Sequence, residues 1–217
     1  MSKLLHIDSS ALQEGSVSRD VAATFRTAWE DKHPGGTVVY RDLGASPLPH
    51  LGADGISARF AEEAGRTAEQ RTAAALQDKL INELLEADAY LFSVPMYNFT
   101  ITSTFKAWLD HVLIFGRTIG LENGSPFAGR PATVISSRGG SYAEGTPREG
   151  WDFAEPYLRK VFTEALGMET TIIVPELTLA HVNPAMAELR DAADASRAKA
   201  HEDATTRAHE VAAKLAA

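Results

Sequence analysis

The chain has 217 residues, of which 44% are hydrophobic, and it contains no cysteine. This length and apolar content suit one sizeable core, so we expect a single domain over residues 1–217. The formal net charge of -8 argues against nucleic acid and against an anionic membrane surface as partners. The absence of cysteine excludes thiolate chemistry and agrees with a reducing cytoplasm. Because no apolar run approaches the roughly 20 residues that span a bilayer, we expect a soluble, cytoplasmic protein.

Five short β-rich runs alternate with helical segments along the chain. Strands are predicted at residues 3–8, 37–40, 89–94, 132–136 and 170–174. Helices are predicted at residues 19–32, 67–86, 103–113 and 153–166, followed by a long Ala-rich helix that begins at Asn183-Pro184. This alternation predicts a doubly wound α/β fold, with a five-stranded parallel sheet of order 2-1-3-4-5 and helices on both faces.

In open α/β sheets a ligand binds outside the carboxyl ends of the strands, where the strand order reverses. The order 2-1-3-4-5 places this point between the first and third strands. The loops after the first, third and fourth strands are therefore the segments in which we expect the chemistry.

The first of these loops is rich in serine and stands directly before a helix. Ser10, Ser16 and Ser18 surround Gly15 in this loop. The free N–H groups and the positive dipole end of a helix N-terminus favour an anion, and the first loop of such a sheet commonly holds a phosphate. We therefore predict a phosphate site here; the alternative is that the serines only cap the helix.

The loop after the third strand combines a thioether, a phenol, an amide and a phenyl ring. Pro95 ends the strand, and Met96, Tyr97, Asn98 and Phe99 follow it. Such a set can hold a flat heteroaromatic ring, with polar groups at the ring's edge and apolar side chains at its face or border. Ordinary packing at a strand end is the alternative.

The loop after the fourth strand carries two adjacent glycines. Gly139 and Gly140 have no β-carbon, so their backbone can approach a ligand closely and point N–H groups at it. Ser137 and Arg138 precede them, and Arg138 could add positive charge to the site. A tight turn without a ligand is the alternative.

Several other kinds of site are not supported by the sequence. There is no G-x-G-x-x-G after a strand and no G-x-x-x-x-G-K-[ST], so a mononucleotide is a better ligand than a dinucleotide. None of the seven histidines has a metal-ligand spacing backed by carboxylates, so no metal is expected. There is no G-x-S-x-G elbow for a hydrolase nucleophile.

Taken together, these motifs resemble the FMN-dependent NADH-azoreductases, a flavodoxin-like family related to the NAD(P)H quinone reductases. The resemblance covers nearly the whole chain. Its most specific part is the Met-Tyr-Asn-Phe element of residues 96–99, followed by a Ser-Thr-x-Lys helix start at residues 103–106. The serine loop and the segment Ser137-Arg138-Gly139-Gly140 add to it.

The resemblance implies a flavodoxin-like fold, FMN as cofactor, NADH or NADPH as co-substrate, and an azo or quinone compound as acceptor. It implies ping-pong hydride transfer through the flavin, with no residue acting as a strong acid or base, and a homodimer with the site near its interface. By position, the FMN phosphate would be held by Ser10, Ser16 and Ser18. The ring would be bordered by Met96, Tyr97, Asn98 and Phe99, and by Ser137, Arg138, Gly139 and Gly140.

Two segments depart from the family pattern. Gly120-Leu121 stands before Glu122-Asn123-Gly124, where relatives tend to have an aromatic residue, and residues 113–117 also differ. These departures leave the acceptor open, and a quinone reductase with incidental azo activity remains an alternative. Two further alternatives are a flavodoxin-like electron carrier without nicotinamide-dependent turnover, and a phosphatase or esterase of similar fold.

Overall fold

The computed structural model describes residues 2–216 and contains one five-stranded parallel sheet. Its strands are β1 (Lys3–Asp8), β2 (Thr37–Asp42), β3 (Ala89–Ser93), β4 (Pro131–Ile135) and β5 (Glu169–Ile173). The order β2-β1-β3-β4-β5 and the parallel pairing confirm the predicted topology.

The helices connect these strands. They are α1 (Val17–Lys32), α2 (Ala53–Ser57), α3 (Ala68–Glu86), α4 (Ser103–Val112), α5 (Ala154–Arg159) and α6 (Arg190–Ala216). A π-helical segment, Lys160–Ala165, continues α5, and 3₁₀ segments are found at Glu63–Gly65 and Pro184–Leu189. Among residues 2–216, no helix has the length and apolarity needed to cross a membrane.

The sheet separates two apolar cores. On one face α1 and α6 pack together, with Phe25 and Trp29 of α1 buried beside the alanines of α6. On the other face Leu80 of α3, Trp108 of α4 and Leu158 of α5 pack in a second core. Alternate residues of a strand point to opposite faces, so every residue of β3 and β4 is buried between the two helical layers.

Sequence signals at the helix ends explain where these elements begin and stop. Thr67 and Gln70 form a capping box at the start of α3, and the Thr102 side chain caps α4. Gly167 follows the π-helical segment with a φ of 69°, the left-handed conformation in which glycine commonly ends a helix.

The predicted elements differ from the observed ones mainly at their boundaries. The loop predicted between β2 and α3 contains the short helix α2. The helix predicted over residues 153–166 is α-helical only to Arg159. Asn183 caps a 3₁₀ segment, and α6 starts after it at Arg190. These differences depend on tertiary packing that local sequence does not encode.

Candidate functional site

A cleft of about 590 Å³ opens between the segments that follow β1, β3, β4 and β5. Its size is typical of a small-molecule site, for which volumes of roughly 300–1,000 Å³ are common. The predicted binding residues that line it are Ser10, Ser16, Met96, Tyr97, Asn98, Ser137 and Gly139. Loops that are far apart in the sequence therefore meet at the strand-order reversal, as predicted.

One end of the cleft is formed by the N-terminus of α1. Ser16 is the N-cap residue, but its side chain accepts no hydrogen bond from the helix, and Gly15 before it has a φ of 71°. The Ser16 hydroxyl instead lies 3.3 Å from the hydroxyl of Ser18, which is fully buried behind the cleft. The first-turn N–H groups are thus without a side-chain cap, the arrangement that binds an anion.

The phenol of Tyr97 links the serine loop to the loop after β3. It accepts a hydrogen bond of 3.1 Å from the Ala11 N–H and lies 3.3 Å from the Ser10 hydroxyl. The Ser10 hydroxyl in turn accepts from the Leu12 N–H at 3.2 Å. This short network fixes the two loops relative to each other.

Residues 97–100 form a tight turn that is closed by backbone hydrogen bonds between Tyr97 and Thr100. Its two central residues have positive φ angles, 48° for Asn98 and 70° for Phe99. A phenylalanine in this region is a true outlier, and such strain concentrates at functional sites. The Phe99 ring is held by an edge contact with Trp151 at a centroid distance of 5.1 Å. The Phe99 ring therefore contacts the segment around Trp151, and of the predicted residues 96–99 the cleft is lined by Met96, Tyr97 and Asn98.

The glycine pair after β4 packs against the segment that follows β5. The carbonyls of Gly139 and Gly140 accept hydrogen bonds from the N–H groups of Leu179 and Leu177. A β-carbon on Gly139 would lie 2.8 Å from a methyl of Leu179, so glycine allows this close approach without a shift of the Leu179 side chain. Within residues 2–216, the N–H groups of Gly139 and Gly140 have no acceptor. Both are available as donors.

Arg138 requires a correction, because its charge does not reach the cleft. The side chain is fully buried, and its guanidinium pairs with Asp152 at 2.9 Å. The same guanidinium donates to the Ser136 carbonyl, while the Arg138 N–H donates to the Pro175 carbonyl. Arg138 therefore holds the loops around the cleft together. Its partner Asp152 lies 14 residues further along the chain and could not be identified from sequence.

A charged network lies behind the serine loop. Asp8 of β1 accepts hydrogen bonds from the Tyr40 hydroxyl at 2.7 Å and from the Arg19 guanidinium at 3.2 Å, and His6 Nε2 lies 3.4 Å from its other oxygen. Arg19 also makes two bonds, of 2.7 and 2.8 Å, to Asp42. Sequence reasoning missed this network, since its members come from three elements.

The two carboxyls of this network are held ionised by their partners. Burial opposes ionisation of Asp8, but the imidazole of His6, the hydrogen bond from Tyr40 and the charge of Arg19 outweigh burial, so the Asp8 pKa lies below its usual range. At Asp42 burial also opposes ionisation, and the hydrogen bonds from Arg19 and from the backbone lower the pKa overall. Burial and the hydrogen bond to Asp8 raise the pKa of Tyr40.

The segment after β5 supplies lining residues that were not predicted. Thr178, Leu179 and Val182 border the cleft, opposite Leu12. The Thr178 N–H donates to the Arg138 carbonyl at 3.0 Å, which folds this segment over the loop after β4. Because β5 is an edge strand, the expected position of the crevice did not point to its loop. The apolar residues Leu179 and Val182, in a segment between a strand and a helix, were the available signal in the sequence.

The segment of residues 113–121, which departs from the family pattern, carries an exposed aromatic side chain. Phe115 is 80% exposed, and its ring lies over Gly120, where a β-carbon would come within 2.2 Å of it. An effect of this segment on the choice of acceptor remains a prediction.

Fold and site together define a class of protein. A doubly wound sheet has a cleft at its strand-order reversal, with an uncapped helix N-terminus at one end and free backbone donors beside Met96 and Tyr97 at the other. Such a cleft suits a mononucleotide with a flat ring. Among the described residues, no group of three or more acidic or histidine side chains could hold a metal.

Comparisons with known proteins identify the family. Residues 2–207 match the family model described as flavodoxin-like fold. The chain is 56% identical to the FMN-dependent NADH:quinone oxidoreductase of Streptomyces avermitilis over the full length of both chains, and 51% identical to that of Streptomyces coelicolor over 100% of this chain and 98% of the other. The crystal structure of an azoreductase from Bacillus anthracis superposes with a TM-score of 0.80 at 27% identity, covering 97% of this chain and all of that one.

The chain therefore belongs to the flavodoxin-like family and, within it, to the group of FMN-dependent NADH:quinone oxidoreductases. The resemblance inferred from its motifs is confirmed.

Proposed function

We propose that this protein is an FMN-dependent oxidoreductase that uses NADH to reduce quinones and azo compounds. The observation that carries the proposal is the cleft itself, in which a helix N-terminus suited to a phosphate faces a ring-sized surface formed by Met96, Tyr97, Asn98 and Gly139. Relatives that align over the whole chain are named as enzymes of this activity.

The FMN phosphate is assigned to the α1 end of the cleft. There the first-turn N–H groups and the Ser10 and Ser16 hydroxyls are the available donors, and Ser18 acts from behind through Ser16. Among the residues that the structure describes, no lysine or arginine lines the cleft. In this proposal the phosphate is bound mainly by hydrogen bonds and by the helix dipole.

The ring is assigned to the other end of the cleft. Met96 and Tyr97 supply apolar contact, and Asn98 supplies an amide at the ring's polar edge. The free N–H groups of Gly139 and Gly140 are donors for the negative charge that a reduced ring carries. Phe99 and Arg138 contribute by holding these loops in place.

When bound, FMN supplies the hydride and electron-transfer chemistry. The residues of the chain position the ring, keep one side of the cleft apolar, and present preset donors. The cleft-lining residues include no histidine or carboxylate that could serve as a strong acid or base. Protons for the product then come from solvent or from the Tyr97 phenol.

The proposal also covers the oligomeric state of the protein and its location in the cell. We infer a single domain that forms a homodimer with the cleft near the interface, in the cytoplasm. Large apolar side chains stand exposed around the cleft, including Val182 at 73% and Leu12 at 59%, as expected for a surface that a second copy covers. Light scattering on the purified protein should give twice the monomer mass, and a monomer would contradict the dimer.

The test of the function is spectroscopic. Protein mixed with FMN and passed through a desalting column should retain a yellow chromophore, which NADH should bleach without oxygen. A quinone or an azo dye should then restore the colour, and their relative rates identify the preferred acceptor. NADPH in parallel tests the choice of nicotinamide. A protein that binds no FMN contradicts the proposal, and one whose flavin neither nicotinamide bleaches is an electron carrier.

A further inference from the structure

The third residue of α1 is a partly buried cation at a helix end where cations are unfavourable. Arg19 follows Val17 and Ser18, and its side chain is only 12% exposed. A positive charge in the first turn opposes the helix dipole unless something compensates it. Its position therefore requires an explanation, because it does not line the cleft.

The Arg19 guanidinium joins three separate segments of the chain. It donates to Asp8 at the end of β1, to both oxygens of Asp42 at the end of β2, and to the Ser10 carbonyl at 2.8 Å. The two bonds to Asp42 form the planar bidentate pair that lysine cannot reproduce. One side chain thereby fixes the serine loop against two strand ends.

The Ser10 carbonyl is held from its other side as well. A β-carbon on Gly44 would lie 2.1 Å from this oxygen, so the backbone after β2 packs directly on the loop. That backbone is fixed in turn by Asp42, whose Oδ1 accepts from the N–H groups of Gly44 and Ala45 at 2.9 Å. Ser10 is thus clamped between Arg19 and Gly44.

Charge balance gives Arg19 a second effect. Asp8 and Asp42 carry two negative charges at neighbouring strand ends, directly behind the loop assigned to the phosphate. Arg19 contacts both carboxylates. Without its charge, both would repel an anion bound by the loop, since charges within a protein interact over distances of several ångströms.

We propose that Arg19 is a positioning residue that holds the serine loop in its phosphate-binding shape and neutralises the carboxylates behind it, so that it sets the preference for phosphorylated over unphosphorylated flavin. This inference rests on the proposed function. It assigns Arg19 to the phosphate end alone, because none of its partners borders the ring.

The test compares FMN with riboflavin, which has the same ring and lacks the phosphate. Dissociation constants of both flavins are measured by fluorescence quenching for the wild type and for Arg19→Met, which keeps the length of the stem and removes the charge. We expect the variant to bind FMN about 10- to 100-fold more weakly, the scale of a lost charge-assisted interaction. Riboflavin affinity should change less than about threefold, since the ring end of the cleft stays intact.

Two variants complete the design. Arg159→Met removes an arginine of α5, one that pairs with Glu155 on the exposed surface, and should leave both affinities unchanged. Arg19→Lys keeps the charge but loses the bidentate pair, so its affinity for FMN should lie between those of the wild type and Arg19→Met. If Arg19→Met does not fold, the comparison of Arg19→Lys with the wild type tests the inference.

The inference is wrong if either Arg19 variant binds FMN and riboflavin more weakly by the same factor, so that the ratio of the two dissociation constants equals that of the wild type. These results differ from a failure of the proposed function, in which the wild type itself would bind no FMN.

Discussion

The two ends of the cleft are built in different ways. The phosphate end comes from one continuous stretch of chain, residues 10–18, which charged side chains support from behind. The ring end comes from three loops that are far apart in sequence, and it contains strained backbone at Asn98 and Phe99. Anion binding at the first end depends on N–H groups and charge balance, whereas the shape of the second depends on long-range packing.

This difference has an energetic consequence. Damage to the phosphate end should lower affinity for FMN while leaving riboflavin binding intact. Loss of the ion pair that holds Arg138 at the ring end should lower the free energy of unfolding of the whole domain, because the Arg138 side chain is fully buried.

The largest effect is expected for Asp152→Ala, which leaves the fully buried Arg138 guanidinium without its charged partner. Removing one partner of a buried pair costs about 3–5 kcal/mol. We expect a loss of free energy of unfolding near the lower value, since Asp152 is itself partly exposed. Denaturant unfolding measures this loss. Glu155→Ala, which breaks an exposed pair with Arg159, is the control and should cost less than about 1 kcal/mol. Equal losses in the two variants would contradict the role given to Arg138.

Ser16→Ala removes a hydroxyl at the phosphate end. A hydrogen bond to a charged acceptor is worth about 1.5–3 kcal/mol, so FMN affinity should fall about 10- to 150-fold. Fluorescence titration with riboflavin is the internal control, because riboflavin has no phosphate to contact this residue. If both flavins lose affinity equally, Ser16 does not act on the phosphate.

The charged support of the phosphate end should show in the pH dependence of stability. The pKa of Asp42 in the fold is lower than its ordinary value of 3.8. Its ionised form therefore stabilises the fold above pH 3.8, and this contribution is lost as the pH falls further. At pH 7 the free energy of unfolding of the wild type should exceed that of Asp42→Asn by on the order of 1 kcal/mol, because Asp42 is partly exposed and solvent screens its charge.

The difference in free energy of unfolding between wild type and Asp42→Asn should become smaller below pH 4. Thermal unfolding between pH 3 and pH 7 measures it, with Asp110→Asn in an exposed pair as the control. A constant gap across this range would mean that the Asp42 carboxylate does not stabilise the fold through its charge.

The smallest effect is expected for Asn98→Gly at the ring end. Glycine adopts the observed φ of 48° without strain, so the free energy of unfolding should change by less than about 1 kcal/mol. Loss of the amide should weaken FMN and riboflavin binding by the same factor, about three- to tenfold. A loss confined to FMN would place Asn98 at the phosphate end and remove the distinction between the two ends.

The candidate site was predictable from sequence to different degrees at its two ends. The serine loop and the Gly139-Gly140 pair could be located because glycine and serine carry their structural preferences locally. The roles of Phe99 and Arg138 could not, since the direction of each side chain depends on partners in the segment around Trp151 and Asp152. The lining residues after β5 were missed for the same reason.

Local sequence was enough to predict the alternation of strands and helices and hence a parallel sheet, because apolar periodicity and helix caps act over a few neighbouring residues. The strand order was predicted as the common order for five such strands. Tertiary structure alone decided which side chains face the cleft and which support it from behind. Arg19 is an example, because its charge forms ion pairs with Asp8 and Asp42, which the fold brings next to it from two different strands.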